Sequence, residues 1–136
     1  MSGDLIHLLW RCPKLHRFWR GVVDTLNSVF QVAVPLEPIY CLLGVLEGVV
    51  TEELTRMALN RALFQARRAI LLNWKLEEPP TLKSWVMHMG RMLVMEKYVY
   101  QHRGNAGKFD RLWDAWLATP GLSPMELVQG RLLGGT

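Results

Sequence analysis

His7 and Cys12, near the start of the chain, are an imidazole and a thiol, the side-chain types that ligate zinc. In Gly3-Asp4-Leu5-Ile6-His7-Leu8-Leu9-Trp10-Arg11-Cys12-Pro13 an imidazole and a thiol stand with four residues between them. That spacing is half of a metal knuckle. A structural zinc ion takes four nitrogen or sulfur ligands in a tetrahedron, so this pair leaves two positions open. The expectation is a half-site that a lone chain leaves unoccupied, with zinc as a cofactor only if another chain completes it. The competing reading has Leu5, Ile6, Leu8, Leu9 and Trp10 folding onto a core, with Cys12 as a small buried apolar residue.

A second kind of chemistry is written in the cations. Arg56, Arg61, Arg67, Arg68 and Lys75 lie along one helical stretch, and Arg61, Arg68 and Lys75 recur every seven residues. Such a face can follow a row of phosphates, and the partner it predicts is RNA or DNA. Glu52, Glu53 and Glu77 dilute the charge, so a solvated helix surface explains the same spacing. Further along, His102, Arg103 and Lys108 stand beside Tyr98 and Tyr100, a combination that serves phosphate contact and base stacking in single-strand binders, or else a plain polar loop. Gly104-Asn105-Ala106-Gly107-Lys108 has neither the glycine spacing nor the hydroxyl residue of a phosphate loop. His7, His16, His88 and His102 have no companion at a diagnostic catalytic spacing, so no enzyme activity is expected.

The elements that position these residues are helical. Leu15, Phe18, Trp19, Val22, Leu26, Val29 and Phe30 give an amphipathic helix from Pro13 to about Gln31. The segment 35–50, rich in proline and glycine, reads as an extended connector with a short helical turn. Thr51 caps a helix running to Trp74, whose Ala58, Ala62, Ala66 and Ala69 allow another helix to approach closely. Glu77-Glu78-Pro79-Pro80 stop it, and Thr81 caps a third helix bearing Leu82, Trp85, Val86, Met89, Met92 and Leu93. Residues 101–108 read as a solvated loop, and Asp110 to Leu117 as about two helical turns. The predicted fold is all-α: a small bundle of three longer helices and one short helix with an extended connector, divided as 1–12 (half-knuckle), 13–118 (helical domain) and 119–136 (flexible tail).

Composition sets the outer bounds. A chain of 136 residues with 50% hydrophobic and 21% charged side chains has enough apolar surface for one core, which excludes an ordinary disordered chain. Most of the six tryptophans are expected in the core, and any that one small core cannot bury would mark a face for self-association or another helix. The net charge of +4 is mild. Two cysteines in apolar surroundings, no signal-peptide pattern and no run of about 20 apolar residues predict an intracellular chain, cytoplasmic or nuclear, with reduced thiols and no membrane span.

Several blocks in order then carry a resemblance: residues 3–19, Cys41-Leu42-Leu43-Gly44, Ala66-Arg67-Arg68-Ala69-Ile70 with Asn73-Trp74-Lys75, Glu78-Pro79-Pro80-Thr81, Met95-Glu96-Lys97-Tyr98, and Phe109-Asp110 with Trp113. Over roughly residues 3–117 the chain resembles the C-terminal region of the endonuclease and reverse-transcriptase polyprotein of vertebrate non-LTR (long interspersed element) retrotransposons. In that family a Cys-Cys-His-Cys knuckle precedes the helical region, and its second half looks like His7-x4-Cys12 followed by Pro13 and Phe18-Trp19. The resemblance implies a start at an internal methionine of a longer ancestral frame. It also implies an accessory role in holding template RNA or target DNA, without the polymerase or endonuclease centres.

Overall fold

The computed structural model describes residues 7–74 and 78–122, with side chains from Leu9 onward. Within them the chain is helical and has no strand, in agreement with the all-α expectation. One turn of π-helix, His7–Arg11, leads into α1 (Pro13–Phe30). A connector holding the single turn α2 (Pro38–Cys41) crosses to α3 (Glu53–Asn73), and α4 (Leu82–His102) and α5 (Ala106–Leu117) complete the bundle.

The first helix follows its pattern. Leu15, Phe18, Trp19, Val22, Val23 and Leu26 form its buried stripe, and Pro13 occupies its first turn, where a missing N–H costs nothing. It ends at Gln31, whose φ of 56° is a left-handed conformation uncommon for a residue other than glycine. Asn27 holds the chain reversal from both sides: its amide nitrogen donates to the Val34 carbonyl at 3.1 Å, and its oxygen accepts from the Val34 N–H at 2.9 Å. Gly44, at φ +67°, turns the connector where a Cβ would fall 2.4 Å from the Asn60 Oδ1.

The alanine stripe of α3 does what its size permits. Ala58, Ala62, Ala66 and Ala69 are fully buried, and the Trp85 indole of α4 lies close enough to donate to the Ala62 carbonyl at 3.0 Å. The same ring meets Trp116 of α5 edge to face at 5.5 Å, an arrangement aromatic quadrupoles favour. Trp19, Trp85, Trp113 and Trp116 are fully buried, which absorbs four of the six tryptophans into the core. Trp74, by contrast, is 57% exposed.

Four local expectations need correction. Glu52, not Thr51, caps α3: its carboxylate accepts from the backbone N–H groups of Leu54 and Thr55, and a charged acceptor there gains from the helix dipole as well. The connector carries a short helical turn as expected, with Pro38 starting α2 and Cys41 buried beneath it. The loop expected over 101–108 shrinks to 103–105, because α4 continues through His102 and α5 begins at Ala106, four residues earlier than the apolar pattern suggested. Cys12 is exposed and not a core residue: it sits at the cap of α1, outside the buried stripe. Residues 119–122 are not frayed, since the Trp116 indole donates to the Leu122 carbonyl at 3.2 Å; residues 123–136 of the expected tail lie outside the described residues.

Candidate nucleic-acid interface

The predicted cations divide into two groups once the helices are packed. Arg56 folds back on its own helix start, donating to the Val50 and Thr51 carbonyls at 2.9 and 2.7 Å. Arg67 turns to the connector and donates to the Cys41 carbonyl at 2.8 Å, with its guanidinium stacked over Phe64. Burial pulls its pKa below the ordinary arginine range, the direction expected of a cation partly removed from water. Both therefore hold the fold together. Lys75 lies outside the described residues, as do the first six residues of the half-knuckle.

Arg61, Arg68, Arg103 and Lys108 converge instead on one groove of about 850 Å³ between α3 and α4, closed at one end by the start of α5. On α3, Arg61, Gln65 and Arg68 are spaced by four and three, so they form one stripe along the helix. On α4, His88, Arg91, Met92, Met95, Glu96, Val99 and Tyr100 face them, and Arg103, Asn105 and Lys108 complete the wall. Among the described residues the lining holds five lysines and arginines, Arg61, Arg68, Arg91, Arg103 and Lys108, against one acid, Glu96, so a mild overall charge is concentrated here. Focusing of that kind in a recess raises the local concentration of anions.

Glu96 shapes the electrostatics. It pairs with Arg61 and accepts from the Trp113 indole at 3.1 Å, while Arg61 also approaches the Tyr100 hydroxyl at 3.3 Å. This cluster ties α3, α4 and α5 together and neutralises Arg61. Arg68 and Arg91 are exposed, and among the described residues no hydrogen bond or ion pair holds either. His88 lies near both, and burial first, then the two guanidinium charges, lowers its pKa, so the imidazole is neutral at pH 7. Its Nδ1 and the Oε1 of Gln65 are enclosed without a hydrogen-bond partner.

Gln65 and Arg91 were not among the residues singled out from the sequence, and His88 was named there only as a histidine without a catalytic companion. Gln65 is visible in retrospect as a polar side chain within an otherwise apolar stripe of α3, where it is only 8% exposed. Arg91 has no pattern of its own on α4 and becomes significant only when that helix faces Arg68. Tyr98 and His102 stack at 6.0 Å on the exposed side of α4, whereas Tyr100 joins the groove, so the two tyrosines grouped in the sequence part company.

The His7 side chain lies outside the described residues, and among those residues no group of three or more His, Cys, Asp or Glu side chains is arranged to hold a metal ion. Among those residues, too, no helix is long and apolar enough to cross a membrane. No family model matches the chain, and no solved structure matches it significantly.

Proposed function

We propose that this chain is a non-catalytic nucleic-acid-binding helical segment, related to the C-terminal region of retrotransposon reverse-transcriptase polyproteins, and that the groove between α3 and α4 is its binding surface. The observation that carries the reading is the convergence of Arg68, Arg91, Arg103 and Lys108, from three helices and the turn between two of them, on a recess whose described lining holds one acid. A solvated surface would scatter those charges. Phosphates attract such a cluster through counterion release, and its guanidinium groups match phosphate geometry. The ordered sequence blocks supply the likeness to the retrotransposon proteins, and His7 with Cys12 fits the remnant of their knuckle, without zinc in a lone chain.

The test is binding of a labelled RNA to the purified chain at low ionic strength, compared with an Arg68→Ala/Arg91→Ala variant. The variant should retain the fold and lose at least tenfold in affinity, about 0.7 kcal/mol per removed cation. No binding by the unaltered chain at low salt removes the proposal.

A second reading rests on a different observation. Phe64, Leu71, Leu72 and Trp74 on and just beyond α3 are 54, 43, 55 and 57% exposed, an apolar presence large enough to favour self-association or a partner helix. Light scattering distinguishes it: mass that rises with concentration and falls to the monomer value on Phe64→Glu supports self-association, and a constant monomer mass counts against it.

A further inference from the structure

We infer that the groove takes an unpaired base as well as the phosphate backbone, with Gln65 and His88 forming the polar floor on which the base edge is held. This rests on the nucleic-acid reading and states what kind of strand fits. Four features of the groove point to it.

The first is the state of Gln65. Its side chain is nine-tenths buried and lines the groove, yet its Oε1 has no partner. A buried amide left unpaired is costly, and such groups in native proteins are normally satisfied by a partner or a ligand. The terminal torsion of glutamine is soft, so either the oxygen or the amine can turn to the groove. An amide presents a donor beside an acceptor, which is the pattern on the edge of every nucleobase.

The second is His88, facing the same recess from the opposite helix. Its Nδ1 is likewise enclosed without a partner, and it lines the same groove. A neutral imidazole offers one donor and one acceptor, which again suits a base edge better than a phosphate.

The third is the remaining lining. Met92, Met95, Val99 and the Tyr100 ring stand among the cations. Inorganic phosphate would leave that apolar surface unused, whereas a base has two flat apolar faces to cover it.

The fourth is shape. Packed helices lie 8–10 Å apart, and cations set into the recess between them are reached by a single strand or an extruded base. A duplex keeps its base edges in its grooves and presents its phosphates on a convex surface, so it meets only the rim. Because every base edge carries a donor next to an acceptor, the floor favours bases over bare backbone without selecting a sequence.

The experiment compares three probes at one salt concentration: a single-stranded DNA of about ten nucleotides, the same strand annealed to its complement, and a strand of equal length with abasic sites at its centre. The unaltered chain should bind the single strand about tenfold more tightly than either of the others, within the range of one stacked base. Gln65→Leu, which keeps the side-chain size and the helix, should bring the single strand down to the level of the abasic probe while leaving the latter unchanged. Equal affinity for the intact and abasic strands, or duplex binding as tight as single-strand binding, overturns this inference and leaves the phosphate-binding reading standing. Failure of all three probes to bind at low salt overturns both.

Discussion

Replacing Glu96 separates two jobs performed by one carboxylate. Glu96 accepts from the indole N–H of Trp113, a ring with no solvent exposure, and pairs with Arg61, whose side chain is 33% exposed. Glu96→Ala leaves the indole donor buried and unsatisfied, at a cost of about 1–3 kcal/mol. Arg61 keeps access to water and to the Tyr100 hydroxyl, so the lost ion pair adds only the value of an exposed pair, up to about 1 kcal/mol. The sum is a loss of about 1–4 kcal/mol. Glu96→Gln retains an oxygen that accepts from Trp113 and loses only the charge, so it should cost about 1 kcal/mol. Urea unfolding followed by tryptophan fluorescence measures the difference through the midpoint at constant slope. Both variants also remove the one acid among the groove's described residues and free Arg61. RNA binding by the folded Glu96→Gln chain should therefore tighten by about two- to fivefold at low salt, the worth of one exposed charge contact. Equal destabilisation by the two substitutions would refute the assignment of the indole hydrogen bond. Weaker binding by folded Glu96→Gln would refute the electrostatic reading of the groove.

The two neighbouring arginines of α3 should behave oppositely. Arg67→Ala should destabilise the fold by about 1.5–3 kcal/mol through the lost charged hydrogen bond to the Cys41 carbonyl, with little effect on RNA affinity, while Arg68→Ala should do the reverse; paired unfolding and binding curves check both. Thiol labelling of the native chain should modify Cys12 alone, because burial pushes the Cys41 thiol up to about 12, and denaturation should expose the second thiol. The sign of the linked pH effect follows: Cys41 stays protonated in the fold while the unfolded thiol ionises near its ordinary value of 9.0, so stability is full below pH 9 and falls by about 1.4 kcal/mol per pH unit toward pH 12. Unchanged stability across that range would show that the thiol is not enclosed. Gly44→Ala should cost about 1–2 kcal/mol or more by urea unfolding, since a left-handed residue acquires a Cβ and that Cβ meets Asn60. Chelation of the purified chain should leave its helical circular dichroism unchanged, and one tightly held zinc per monomer would contradict the half-site reading of His7 and Cys12.

The bundle was legible because its helices announce themselves. The 3–4 spacing of Leu15, Phe18, Trp19, Val22 and Leu26 and the alanines of α3 are local patterns, and the structure buries both sets. Thr81 was recognisable for the same reason, since its hydroxyl accepts from the Ser84 N–H and a capping box forms within four residues. Boundaries were less readable. The extension of α4 through His102 and the early start of α5 at Ala106 follow from docking onto the core, where Phe109 is 1% exposed, and not from the turn-forming residues between them.

The candidate site was half visible. Sequence order groups Arg67 with Arg68, yet a step of one residue turns about 100° around a helix, which sends one to the connector and the other to the groove. Which cations remain free depends on partners distant in sequence: the Cys41 carbonyl lies 26 residues from Arg67, and Glu96 lies 35 from Arg61. No local pattern contains that information. Gln65 and His88 were silent for a related reason, because an unpaired polar atom exists only once its surroundings close.

The most direct measurement is the salt dependence of RNA affinity for the unaltered chain and for Arg68→Ala/Arg91→Ala. Four free cations on a single strand predict a slope of about −3 in log affinity against log salt, falling to about −1.5 when two are removed. Absence of binding at low salt, or a slope unchanged by the double substitution, would contradict the groove as the nucleic-acid surface.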